Sequence, residues 1–146
     1  MKGGTAMNLV GEFHHALDAK NRLFIPAKFR EELGESFYIT RKTEKCLAVY
    51  SEEEWAKFTE KLNMLPDSKV GPLKQFIYSK TISVAPDSNG RVVLTPSLTE
   101  YAGIQKNVVV IGVGDQAQIW AEEAWTAKEE AVDLAAIAEL MQQVGL

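Results

Sequence analysis

Apolar residues in this chain come in short alternating runs divided by turn-forming residues, and the runs fall into two sets that share one order. Residues 14–17 and 23–25 have strand character and flank Asp18-Ala-Lys-Asn21-Arg22, while residues 81–85 and 92–94 flank Asp87-Ser-Asn-Gly90-Arg91. An Asp at the first turn position accepts hydrogen bonds from turn amides, and Asn or Gly three residues later tolerates the positive φ of a type I turn closed by a bulge. Each set is therefore predicted to open with a hairpin. A short helix follows, over 27–33 or 96–102, stopped by Gly34 or Gly103. A second hairpin is predicted from 37–39 with 46–50 and from 108–111 with 116–120, its turn charged in the first set and glycine-rich in the second.

Residues 51–80 connect the sets. Ser51-Glu-Glu-Glu54 has the form of a capping box and predicts a helix to residue 63; Pro66 breaks it, and Pro72 is placed to start another running to 79. Towards the C-terminus, Leu134, Ile137, Met141 and Val144 recur at helical spacing. That stripe needs a surface to cover it, on its own protomer or on a neighbouring subunit.

The two sets are copies of one unit. A displacement of 69 residues places Ala16, Asp18, Arg22, Glu31 and Gly34 on Ala85, Asp87, Arg91, Glu100 and Gly103; one inserted residue then makes it 70 and places Glu52, Glu53 and Trp55 on Glu122, Glu123 and Trp125. Identities in this order from end to end of the window exceed coincidence. A unit this small cannot bury its own apolar face, so the copies are expected to share one sheet-built core with helices around it. The expected boundaries are a lead-in over 1–10, a first half over 11–53, a helical connector over 54–81, a second half over 82–125 and a C-terminal helix over 126–146. Within the lead-in, 1–6 reads as a disordered extension.

Composition narrows the chemistry. The chain has 146 residues, 46% of them apolar and 25% charged, which suits one ordinary domain or two very small ones with a common core. No run reaches the roughly 18 apolar residues of a membrane span, and no apolar leader follows the N-terminus, so a cytoplasmic protein is expected. Cys46 is the single cysteine and His14 and His15 are the only histidines, which removes disulfide and structural-zinc frameworks. The net charge of −4 is a poor guide to partners: residues 121–146 carry −5, the remainder +1, and residues 18–30 carry +3 through Lys20, Arg22, Lys28 and Arg30 against Asp18.

The two arginine turns are the sharpest chemical feature. Turn formation accounts for Asp and for Asn or Gly, but not for Arg in the next place, twice. A guanidinium buttressed by a carboxylate is a fixed fork suited to phosphate or to guanine O6 and N7. Other candidates are weaker. His14 and His15 point to opposite faces of a strand and have no third ligand nearby; Cys46 reads as a core thiol; Gly112-Val-Gly114 reads as a hairpin turn; Trp55 and Trp125 read as packing between the halves. No nucleophile with a base beside it stands out, so no enzymatic activity, cofactor, metal or small-molecule substrate is expected.

The stretches GEFHHALDAKNRLFIPAKFRE and APDSNGRVVLTPSLTEYAGI resemble the MraZ transcriptional regulators of bacteria, whose halves are each similar to the SpoVT/AbrB-type DNA-binding domain. The resemblance implies an α+β fold with a duplicated, pseudo-twofold, swapped-hairpin β-barrel core surrounded by helices. It also implies a homo-oligomeric ring, double-stranded DNA as partner, short direct repeats in the promoter of the division and cell-wall gene cluster, a place on the nucleoid and an autoregulatory repressor. Arg22 and Arg91 become the DNA-contacting arginines, with Asp18 and Asp87 as their partners and Lys20 and Lys28 neutralising phosphate charge. The alternative from another class is a non-enzymatic protein-interaction scaffold whose arginine turns grip acidic peptides or partner subunits.

Overall fold

The computed structural model describes residues 7–146, so the extension expected over 1–6 lies outside the described residues. One order of elements runs twice. The first pass is β1 (Glu12–Ala16), β2 (Arg22–Phe24), α1 (Ala27–Leu33), β3 (Phe37–Lys42), β4 (Cys46–Ser51), α2 (Glu52–Asn63) and α3 (Asp67–Tyr78). The second is β5 (Ile82–Val84), β6 (Arg91–Val93), α4 (Pro96–Tyr101), β7 (Asn107–Gly112), β8 (Ala117–Ala121), α5 (Glu122–Glu130) and α6 (Leu134–Gln143). The sheet is antiparallel throughout, giving a mixed α+β fold.

The two arginine turns form, but the strands flanking them do not pair as hairpins. Asn21 N donates to Asp18 O at 3.0 Å and Gly90 N to Asp87 O at 2.9 Å, closing each turn. Beyond them the arms cross to the other half. β1 pairs with β7, Glu12 opposite Ile111 and Ala16 opposite Asn107; β5 pairs with β3, Phe37 opposite Val84; and β2 pairs with β6, Arg22 opposite Val93 and Phe24 opposite Arg91. Local hairpins of three-residue strands would leave Leu23 and Val92 covered by little but their own half. Exchange places both in a common core, at 0% and 2% exposure, where burying such a side chain contributes about 1.5–3 kcal/mol.

The expected barrel does not close. The main sheet has six strands in the order β1-β7-β8-β4-β3-β5, and β2 with β6 makes a separate two-stranded ribbon. Each ribbon strand gives its ladder hydrogen bonds to the other, so neither continues a ladder to β1 or β5, which remain the edges of an open sheet. The second hairpins, β3 with β4 and β7 with β8, form as predicted and meet through β4 and β8 in the middle of the sheet. One core joins Leu23, Ile25, Phe29 and Leu47 to Val92, Leu94, Leu98 and Ile119. Gly112 ends β7 where a Cβ would fall 2.4 Å from the Leu9 carbonyl carbon, so only glycine admits the lead-in strand that bridges Leu9 to Gly114.

The helices differ between passes. Ser51 Oγ accepts from Glu54 N at 3.1 Å, but the Glu54 carboxylate pairs with Lys57 at 3.2 Å instead of returning to Ser51, so half of the capping box forms. α3 starts earlier than Pro72: Pro66 acts as its N-cap, with its carbonyl accepting from Lys69 and Val70, and Pro72 lies inside the helix. Burial of Val70 and Ile77 on one face offsets the missing Pro72 donor. Trp55 packs on Tyr38, Tyr50 and Phe58 at ring-centroid distances of 5.0, 6.0 and 5.6 Å, within its own half, not between halves. Trp125 does span them: it lies 5.6 Å from Trp120 and donates to Glu12 Oε1 at 3.0 Å. α5 and α6 bury no residue, and Leu134 and Val144 are 76% and 69% exposed. Among the described residues no helix is long and apolar enough to cross a membrane.

Candidate nucleic-acid interface

Each turn is built around a carboxylate. Asp18 Oδ1 accepts from the backbone N–H of Lys20 and of Arg22, both at 2.9 Å, which leaves Oδ2 for Arg22 Nε at 2.6 Å. Asp87 repeats the arrangement, with Oδ1 accepting from Asn89 N and Arg91 N at 2.9 Å and Oδ2 from Arg91 Nε at 3.2 Å. Asn21 and Gly90 take φ values of 57° and 77°, the left-handed conformation the bulge requires. The turn hydrogen bonds hold both carboxyls ionised. The Arg22 backbone N–H, the Arg22 guanidinium and the Lys20 N–H lower Asp18 to about 2 against the cost of desolvation, and the Arg91 backbone N–H leads the lowering of Asp87.

Strand register then brings the arginines together. Alternation along the ribbon turns Leu23 and Val92 inward, so Arg22, Phe24, Arg91 and Val93 share the outer face. Arg22 and Arg91 are diagonal neighbours there, a separation of about 7–8 Å between Cα atoms. Each turn is also tied to the opposite half: Leu94 N donates to Asn21 O and Ile25 N to Gly90 O, both at 2.9 Å. With Nε bound to its own Asp, Arg22 keeps both terminal amines free of hydrogen bonds among the described residues. That is the end-on geometry with which a guanidinium meets a phosphate or a guanine edge.

Arg30 completes the face, and it was not among the expected site residues. Its Nε donates to Ile25 O at 2.9 Å, its guanidinium lies 5.5 Å from the centre of the Phe24 ring, and a Cβ on Gly90 would sit 2.8 Å from its Cζ. Gly90 thus serves the turn and also leaves room for an arginine from the other half. The place matched to Arg30 in the second half is Thr99, buried, with Oγ1 donating to Pro96 O at 3.1 Å. A shallow depression of about 390 Å³ lined by Arg30, Gly34, Glu35, Pro86 and Asp87 lies beside the second turn. Lys20 and Lys28 are exposed; Lys28 lies about 200° around α1 from Arg30.

The remaining candidates have structural surroundings. Cys46 is fully buried and burial pushes its thiol up to about 11. His14 Nε2 is 2.7 Å from Glu12 Oε2 and Nδ1 is 3.6 Å from Glu122 Oε2, so its ring joins β1 to α5; the hydrogen bond to Glu12 raises its pKa. His15 turns the other way, edge-on to Phe24 with 5.3 Å between ring centres.

Residues 9–70 and 77–144 match the family model described as "MraZ protein, putative antitoxin-like". The chain is 43% identical over 140 residues to the transcriptional regulator MraZ of Clostridium acetobutylicum, covering 94% of this chain and 99% of that protein. It is 40% identical to the regulator of the same name from Clostridium tetani, over 94% of this chain and 99% of the relative. The corresponding protein of Acetivibrio thermocellus is 39% identical, over 93% and 98%.

Proposed function

Since the chain belongs to the MraZ family, we propose that it is a DNA-binding transcriptional regulator whose contact surface is the outer face of the β2–β6 ribbon. Arg22 and Arg91 reach base edges or flanking phosphates, Asp18 and Asp87 hold them, and Lys20 and Lys28 neutralise backbone charge. The observation that carries this reading is the convergence of two matched Asp-Arg turns, one from each half, on a single face where both arginine side chains are partly exposed. The exchange of arms supports reading 11–53 and 82–125 as two AbrB-like halves around a pseudo-twofold axis. An acidic peptide as partner would use the same forks, but nothing in the depression by Arg30 favours an extended chain over a duplex.

The proposal extends to a cytoplasmic, nucleoid-bound protein that represses its own promoter at the division and cell-wall gene cluster through short direct repeats. One protomer makes few contacts, so a closed ring that sets successive protomers on successive repeats supplies the missing affinity by effective concentration. The exposed stripe on α6 supports assembly with further copies. Mobility shift on the protein's own upstream DNA tests the whole reading. Inserting about 5 base pairs between repeats turns the next site to the far side of the duplex and is expected to remove most of the avidity, and inserting about 10 restores it. Binding indifferent to spacer phase would remove the ring from the mechanism, and absence of a preferred duplex would remove DNA.

A further inference from the structure

The two buttressing carboxylates are not equivalent. Asp18 Oδ2 accepts from Arg22 Nε at 2.6 Å, and the same oxygen stands 3.6 Å from Arg91 Nη1. Asp87 Oδ2 meets Arg91 Nε alone, at 3.2 Å. Arg91 is therefore held by a carboxylate from each half, whereas Arg22 is held by one. The ribbon register makes this possible: with Phe24 opposite Arg91, the long Arg91 side chain runs diagonally across the face towards the first turn. Arg22 makes no matching contact with Asp87 among the described residues, and beside the second turn the space at Gly90 is filled by the Arg30 guanidinium.

We propose, resting on the DNA-binding reading above, that Asp18 is the positioning residue for both Arg22 and Arg91 and joins the two turns into one contact surface. Asp87 positions Arg91 only. A carboxylate shared between two guanidinium groups keeps them from repelling each other at the distance the register imposes and fixes their relative orientation before DNA arrives. The two turns then engage a site as a unit and not as two independent contacts.

A matched pair of substitutions separates the two carboxylates. Asp18→Asn and Asp87→Asn each keep Oδ1 to accept the turn amides and replace Oδ2 by an amide that cannot accept from a guanidinium. Affinity for a duplex of the protein's own upstream DNA and for a scrambled duplex is measured by fluorescence anisotropy, with a thermal melt of each variant. Asp18→Asn is expected to lower the preference for the upstream duplex more than tenfold, and Asp87→Asn threefold or less. In an Arg91→Ala background the Asp18→Asn loss shrinks, because one of its two clients is gone. Equal losses for the two variants, or strict additivity of Asp18→Asn with Arg91→Ala, would overturn the proposal. Should Asp18→Asn melt early, Asp18→Ser, which still offers the turn a capping oxygen, takes its place. Without DNA, the Arg91 guanidinium NMR signals of the full chain read the tie directly. They are expected to move in Asp18→Asn, and unchanged signals overturn the tie. A wild-type protein with no preferred duplex would sink the DNA reading while leaving the tie to be read by NMR.

Discussion

The first and second passes of the chain share their Asp, their Arg and their hydrogen-bond pattern at the turns and part company at the helices that close each pass. Both turns place one Asp oxygen on two backbone amides at 2.9 Å and the other on an arginine Nε, at 2.6 Å in the first and 3.2 Å in the second. The helices α2 and α5 begin with the same Glu-Glu pair and carry the same tryptophan, yet α2 buries Trp55 and Leu62 while α5 buries nothing. The difference teaches which parts of the unit depend on each other. Turns and strands are bonded into the opposite half, so a change in one half is felt in the other; the closing helices touch mainly what lies under them, and each is free to meet a different surface.

The comparison is tested most severely at the turns. The double variant Arg22→Ala, Arg91→Ala is expected to abolish specific DNA binding, and each single change to weaken it by about 1–3 kcal/mol, with melting temperatures near wild type; a well-folded double variant with unchanged affinity in a gel shift would break the assignment. At the helices the expected effect is on stability and is unequal. Trp55→Ala, emptying the stacked cluster of Tyr38, Tyr50 and Phe58, should cost about 3–5 kcal/mol, and Trp125→Ala about 1–2 kcal/mol because its ring is only partly covered. Chemical denaturation of both variants decides it, and equal costs would mean that α5 is as well seated as α2.

A third substitution sharpens the contrast between buried and bare helices. Ile137→Asp with Leu140→Asp is expected to lower the mass seen by light scattering while shifting stability by no more than about 0.5 kcal/mol, since both residues are exposed and α6 buries none of its side chains. The smallest effect separates the two aspartates. Both carboxyls titrate below an unfolded Asp, so the stability each contributes is complete above the unfolded pKa and lost as pH falls through the folded value. For Asp18 that loss extends down to about 2. A carboxyl NMR titration of the native protein should therefore find the Asp18 midpoint below that of Asp87, and the reverse order would contradict the turn geometry.

Much of this was legible in the chain because it is local. Asp18, Asn21 and Arg22, like Asp87, Gly90 and Arg91, determine their turns within five residues, and the helices after them start and stop at recognisable residues. Pro72 misled because a proline inside a helix and one at its start differ only in what packs around them, here Val70 and Ile77. The exchange of β1 and β5 is not local: alternation in residues 12–16 says that one face is covered, not that β7 covers it, and the open sheet follows from that choice. Arg30 escaped for the same reason. It sits four residues before Gly34 in a basic stretch, and its task becomes visible only once Gly90 of the other half lies against it.

The exchanged arms also bear on how the protein is made. β1 finds its hydrogen-bond partner in residues 107–112 and β2 in residues 91–93, so the first half leaves the ribosome with both arms unpaired and must wait for most of the chain before its sheet can close. Emerging at about 5–20 residues per second, the second half arrives seconds later, and contacts this distant in sequence form slowly. During that interval the nearest complementary arms belong to other nascent copies on the same message. A fold that exchanges strands within one chain therefore leaves its first arms open to pairing until the second half is delivered.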